Sequence, residues 1–257
     1  MGRRHRLGLI HRPLQRDRIP RGGQGYIVPG PTGDPYWANV VLLAGNDNAA
    51  DTSTTFIDQS SYARTLTAVG NAQYDTAFAP TGMTSSILLD GTGDEVTAAS
   101  AADLNLSTSD FTYEAFFYHT TTGWDFITTW RPNAGSIGAF AVGCNPGNSL
   151  VLYASSTGAS WNLASNLSIG IAATNTWYYV AVKRSGTSFT TAYGTSGATT
   201  AGSGFTSSAA LYDNAGIVRI GSAYSGIDFA GNIACVRMTI GTARDISTVP
   251  SLPFPTF

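Results

Sequence analysis

The chain has 257 residues, 43% of them hydrophobic and only 12% charged, with a formal net charge of −2. That balance can bury a large core in one domain and excludes a disordered or highly charged chain. No run of about 18 apolar residues occurs, so a membrane-spanning helix is not expected.

Taken in chain order, the first element is a basic arm. Arg3, Arg4, Arg6, Arg12, Arg16, Arg18 and Arg21 stand against one acid, Asp17, so residues 1–33 carry +6; seven bases against fifteen acids leave 34–257 at −8. Gly and Pro crowd the stretch after the arginines, and residues 1–35 lack the apolar density to fold alone, so an extended arm is expected. Three readings stay open for it. Arginine suits bidentate docking onto carboxylates of a protein partner, and this reading is preferred. Phosphate neutralisation on nucleic acid is disfavoured by the missing aromatic interleaving and the acidic remainder. The third is a solvated leader. No secretory, twin-arginine or myristoylation pattern accompanies the arm, so synthesis in the cytoplasm is expected.

Beyond the arm, apolar runs of four to eight residues are bounded by Gly, Asn, Asp and Pro, and none shows long helical periodicity. This is the pattern of many short strands, hence an all-β fold. In DFTYEAFFY (110–118), alternation places Phe111, Tyr113, Ala115 and Phe117 on one face, assigned to the core, with Thr112, Glu114, Phe116 and Tyr118 opposite. In WYYVAVKR (177–184), Tyr178, Val180 and Val182 alternate with Trp177, Tyr179 and Ala181, so aromatics on both faces predict a central strand covered on both sides. The last strand, around Ile233 to Met238, has no uniformly apolar face and predicts a bulge. The carboxyl-terminal piece, 247–257, carries Pro250, Pro253, Pro255, Phe254 and Phe257, and is expected to run extended with rings buried on the sandwich or on a neighbouring copy.

Five phrases occur in a telling order: DPYWANVVLL (34–43), ILLDGTGDEV (87–96), DFTYEAFFY (110–118), WYYVAVKRSG (177–186) and the stretch 217–245. Together they resemble concanavalin A-like, laminin-G-like domains, in the version common in phage virion proteins. The resemblance implies a two-sheet antiparallel jelly-roll sandwich over 36–246, following the extended amino-terminal arm. It also implies a non-enzymatic virion protein of the capsid decoration type, whose arm grips the major capsid protein or a tail component. A tail-fibre-type adhesin reading host glycans is the alternative. Homo-oligomers are compatible with either, and the expected location is the virion. One departure matters: where relatives often carry two acids in the last strand, this chain has Gly231, Asn232, Ile233, Ala234, Cys235, Val236 and Arg237.

Candidate chemistry is sparse. The glucanase relatives resemble E-x-D-x-x-E on one strand, and this spacing is absent; Glu95 and Glu114 are the two glutamates, with Asp125 the nearest candidate partner for Glu114. A glycosidase pair must stand about 5 to 9.5 Å apart. His119 alone lies outside the arm among histidines, too few for a histidine zinc site. Cys144 and Cys235 are read as buried thiols, with an inter-strand disulfide as the other option. Asp90, Asp94 and Glu95 in the DGTGDE turn are candidate ligands for a structural Ca2+, although an ordinary hairpin turn explains the same letters. Among the tryptophans, Trp37 and Trp177 are assigned to the core, whereas Trp124, Trp130 and Trp161, flanking polar segments, are the candidate glycan contacts.

Overall fold

The computed structural model describes residues 33–131, 137–213, 217–224 and 227–257. All seven arm arginines therefore lie outside the described residues. The strands are β1 (Val40–Ala44), β2 (Leu66–Val69), β3 (Gln73–Asp75), β4 (Ser86–Asp90), β5 (Glu95–Ala98), β6 (Phe111–His119), β7 (Asp125–Arg131), β8 (Phe140–Asn145) and β9 (Ser149–Ala154). They continue as β10 (Ala164–Ile171), β11 (Tyr178–Ser185), β12 (Ser188–Gly194), β13 (Thr200–Ala201), β14 (Phe205–Thr206), β15 (Ile217–Ile220), β16 (Ser222–Tyr224), β17 (Ile227–Asp228) and β18 (Ala230–Ile240).

Two antiparallel sheets form the sandwich. The nine-stranded front sheet runs β13-β12-β11-β6-β18-β4-β3, with β1 also on β18 and β14 on β12; the seven-stranded back sheet runs β10-β9-β8-β7-β15-β5-β2. β16 and β17 make a separate hairpin lying against β7.

The alternation in β6 resolves as expected: Phe111, Tyr113, Ala115 and Phe117 enter the core between the sheets. There Phe140 of β8 meets Phe111 and Tyr113 edge-on at 6.0 and 5.3 Å. The Tyr113 hydroxyl crosses the sandwich to Thr128 Oγ1 at 2.9 Å; without that partner a buried phenol would cost stability. Its burial holds the Tyr113 pKa above the usual tyrosine range. β11 lies between β6 and β12 with Val180 and Val182 in the core and Tyr179 and Ala181 on the far side, so it is covered on both faces.

The expected bulge in the last strand is present. The β18–β6 register shifts between Ala234 and Arg237, and Cys235 has φ +53°. On the other side of β18, β4 pairs with residues 230–233 and β1 with 236–239, and the Cys235 N–H turns to the Gly45 carbonyl at 2.9 Å. The bulge thus hands one strand edge from one neighbour to the next, and it places Ile233, Val236 and Met238 together in the inner core. Cys235 itself lands on the outer side and Cys144 on the inner one; both are free thiols, so no bridge joins the sheets.

The carboxyl-terminal segment covers the outer face of the front sheet. Thr199 and Val249 donate backbone hydrogen bonds to Ser247 and Gly197, tying the segment to the loop after β12. Farther on, Asn46 clamps Phe254 from both directions, accepting its N–H at 2.7 Å and donating to its carbonyl at 3.2 Å. Phe254 is buried beside Phe116, Tyr179 and Cys235, whereas Phe257 is exposed.

Candidate functional site

The outer face of β6 carries the one glutamate that could serve front-face chemistry, and its surroundings neutralise it. Glu114 accepts hydrogen bonds from Tyr179 Oη at 2.9 Å and from Arg237 Nε at 2.8 Å, and pairs with Arg237 Nη2 at 2.7 Å. Asp34 completes the cluster, accepting from Arg244 Nη1 and Nη2 at 2.9 and 2.6 Å and from Arg237 Nη1 at 3.3 Å. All five groups are buried, and the Phe254 ring sits 3.8 Å from the Arg237 guanidinium carbon. Burial and the Glu114 charge push the Tyr179 hydroxyl well above the ordinary tyrosine range. Two guanidinium groups balance two carboxylates beneath an apolar lid, which is a structural arrangement. Asp125 is not its partner: it opens β7 in the other sheet.

The DGTGDE turn likewise spends its oxygens on the chain. Asp94 is buried and accepts the N–H groups of Asn71 and Asp90 at 2.7 and 3.0 Å, while Asp90 accepts that of Thr92 at 2.8 Å. Glu95 turns away to pair with Arg219. Of the three candidate Ca2+ ligands, Asp90 and Asp94 share Asn71 as a partner while Glu95 points elsewhere, and among the described residues no group of three or more His, Cys, Asp or Glu side chains is placed to hold a metal ion.

An open aromatic cleft lies on the other side of the molecule. Phe126 and Tyr153, which project from the outer faces of β7 and β9 and pack with the buried Ala141 and Val151, line a cleft of about 490 Å³ together with Trp124, Trp161, Ile227, Ile137 and Arg131. Its rings form a ladder. Trp124 stacks on Phe126 at 6.3 Å with an interplanar angle of 5°, Phe126 meets Tyr153 at 6.0 Å, and Tyr153 meets Trp161 at 5.4 Å. The Arg131 guanidinium carbon lies 5.9 Å from the Trp161 ring centre. Trp124 is 43% exposed, although a tryptophan normally buries most of its surface.

Local sequence builds each wall. A bulge between Phe126 and Thr128 turns Ile127 and Thr128 both inward, leaving Phe126 and Arg131 outward. Gly143 pairs with Phe126, and a Cβ there would stand 2.4 Å from the Asp125 carbonyl oxygen, so glycine is what lets β8 pass this bulge. Trp161 rides on a loop held by side chains: Ser155 Oγ donates to the Ser160 carbonyl at 2.7 Å, and Asn162 accepts the Ser156 N–H and donates to Ser156 Oγ. The hairpin carrying Ile227 is pinned by Thr129 Oγ1 donating to the Ser222 carbonyl and by Ser222 Oγ donating to Asp228. Side-chain hydrogen bonds thus hold the Trp161 and Ile227 walls of the cleft in place.

Of the three sequence-selected tryptophans, the structure brings Trp124 and Trp161 together and removes Trp130. Trp130 is buried in the inner core, edge-on to Phe140 at 5.9 Å. Positions 124, 126 and 130 share one parity, so strict alternation would align them; the bulge reverses the parity after Phe126. Phe126 and Tyr153 carry no distinguishing signal in the sequence: Phe126 stands beside Ile127 at the start of a strand, and Tyr153 follows the apolar run Leu150–Leu152, so both read equally well as core. Behind the cleft, His119 is fully buried, with Nε2 2.8 Å from the Ala172 carbonyl and Nδ1 3.6 Å from the Asp125 carboxylate. Burial alone would lower its pKa, but Asp125 and the Ala172 carbonyl together raise it above the ordinary histidine value.

The family model described as "Concanavalin A-like lectin/glucanases superfamily" matches residues 90–241. No curated protein matches the chain. Among solved structures, the binding domain of Paraclostridial Mosquitocidal Protein 1 superposes with a TM-score of 0.62 at 11% identity, over 82% of this chain and 50% of that one. The binding domain of Botulinum neurotoxin DC, solved with rat synaptotagmin II, gives 0.57 at 11% identity with the same coverage. This chain therefore spans half the length of those two. Domain 4 of AbnA, a GH43 extracellular arabinanase from Geobacillus stearothermophilus solved with arabinotriose, gives 0.54 at 14% identity, over 80% of this chain and 95% of that one. At such identities the likeness is one of fold.

Proposed function

Because the chain belongs to the concanavalin A-like lectin and glucanase superfamily, we propose that it is a non-catalytic carbohydrate-binding module that holds glycan in the aromatic cleft of its back sheet. The observation that carries this reading is the ladder Trp124–Phe126–Tyr153–Trp161, which lines the cleft and ends on the exposed ring of Trp124. Sugar rings have an apolar face and a polar edge, and a cleft of a few hundred Å³ with aromatic floor and a few polar groups suits them. The arabinotriose-bound arabinanase domain lends support from the same fold. The neutralised, covered Glu114 supports a binding role over hydrolysis. A glycan array followed by calorimetry on Trp124→Ala and Trp161→Ala tests the proposal. Each variant should lose at least about tenfold in affinity, as central aromatic anchors do, while keeping the wild-type melting profile; unchanged affinity in both overturns it.

The seven arm arginines favour a finer reading, in which the module is displayed on a virion-like particle, its arm docked on a capsid or tail protein. Deleting residues 1–33 should then abolish incorporation into particles and leave glycan affinity intact. Incorporation of the shortened chain at wild-type level would remove this anchoring role.

A further inference from the structure

A second row of rings lies on the opposite, front side. Phe78, 50% exposed, meets Tyr118 at 5.7 Å, and Tyr118 meets Trp177 at 5.7 Å. Trp177, with Phe116 beside it, borders a groove of about 540 Å³ between the Pro80–Gly82 turn and the carboxyl-terminal segment at Val249–Leu252. We infer that this groove and its ring row form a second carbohydrate site, specific for uncharged oligosaccharides.

Three observations carry the inference. First, the rings form a continuous row: the Phe78 backbone is tied to Ser86 Oγ at 2.5 Å, and the Phe78, Tyr118 and Trp177 rings contact one another in sequence. Second, the turn and the tail segment meet closely at Gly82, where a Cβ would stand 2.5 Å from the Leu252 carbonyl oxygen, so the groove is a built feature of the tail's docking. Third, its lining combines apolar rings with the hydroxyls of Thr81, Thr195, Ser196 and Ser251 and holds no charged residue. A charged ligand would lose its hydration there without a counter-charge, whereas a neutral sugar keeps hydrogen bonds through its hydroxyls. The back cleft differs in presenting Arg131. The inference extends carbohydrate binding to the other sheet and does not require the back cleft to bind.

The test uses the full chain labelled with 5-fluorotryptophan, its five tryptophan resonances assigned by single Trp→Phe variants, and titrated with cello-, manno-, arabino- and malto-hexaose. At least one sugar should shift the Trp177 resonance saturably. Phe78→Ala, which changes an exposed ring, should weaken that titration by about tenfold and leave Trp124 and Trp161 unaffected; Trp161→Ala should leave the Trp177 titration unchanged. A Trp177 shift with Trp124 and Trp161 silent would uphold this site and sink the back-cleft reading. Two results overturn the inference: a Trp177 resonance silent to about 10 mM of every sugar, weaker than any useful affinity, or a Trp177 shift that disappears in Trp161→Ala.

Discussion

Two regions on opposite outer faces of this sandwich, the tail-covered centre of the front sheet and the cleft of the back sheet, use aromatic residues in opposite ways. On the front sheet, Phe116 and Tyr179 lie under Phe254, and the charges beneath, Glu114, Arg237, Arg244 and Asp34, are matched among themselves. On the back sheet no segment among the described residues covers the cleft: Trp124 is exposed, Trp161 is half-buried, and Phe126 and Tyr153 form its buried base. Outward aromatics are thus enclosed where a segment covers them and line an open cleft where none of the described residues does; residue type alone does not separate the two.

Substitutions should break this contrast in a graded way. The largest effect is expected from Glu114→Ala, which leaves two buried guanidinium groups facing one carboxylate and should cost about 3–5 kcal/mol in urea unfolding. A variant as stable as wild type would mean that water reaches the cluster. Next comes Phe254→Ala, which uncovers Phe116 and Arg237 and should cost about 3 kcal/mol, within the range for a buried phenylalanine. Glycan affinity at the back cleft should survive it. Trp130→Ala and Trp161→Ala then sharpen the comparison. The first should lower the melting temperature, and the second should lower affinity at nearly constant stability.

The smallest effect concerns pH. His119 has a raised folded pKa, so its charged form stabilises the fold fully below the unfolded value of about 6.5 and less as pH rises through the folded value. Stability should therefore decline from pH 6 to 8 and do so less steeply in His119→Gln, measured as denaturation midpoints across pH. A steeper decline in the variant would contradict the pairing with Asp125.

Much of the front sheet was legible because β6 and β11 keep strict alternation, so Phe111 to Phe117 and Tyr178 to Val182 sort correctly by parity. The back cleft was legible only in part. Trp161 stands out among Ser, Asn and Gly, and Trp124 follows a glycine, but Trp130 was misplaced by a bulge that no letter announces. Likewise the carboxylates of the DGTGDE turn suggest an ion until their partners, Asn71, Asp90 and Thr92, are known.

By itself, then, the amino-acid order determined the all-β class, the double-sided burial of β11, the irregularity in the last strand and the family, because these depend on period-2 patterning and local turn chemistry. Tertiary structure alone decided which aromatic faces stay open, where Glu114 finds its counter-charges and how the tail roofs the front sheet. Those outcomes rest on contacts between residues such as Asp34 and Arg244, or Asn46 and Phe254, more than two hundred positions apart. Nothing in a local pattern constrains such distances; only the packing of two sheets against each other does.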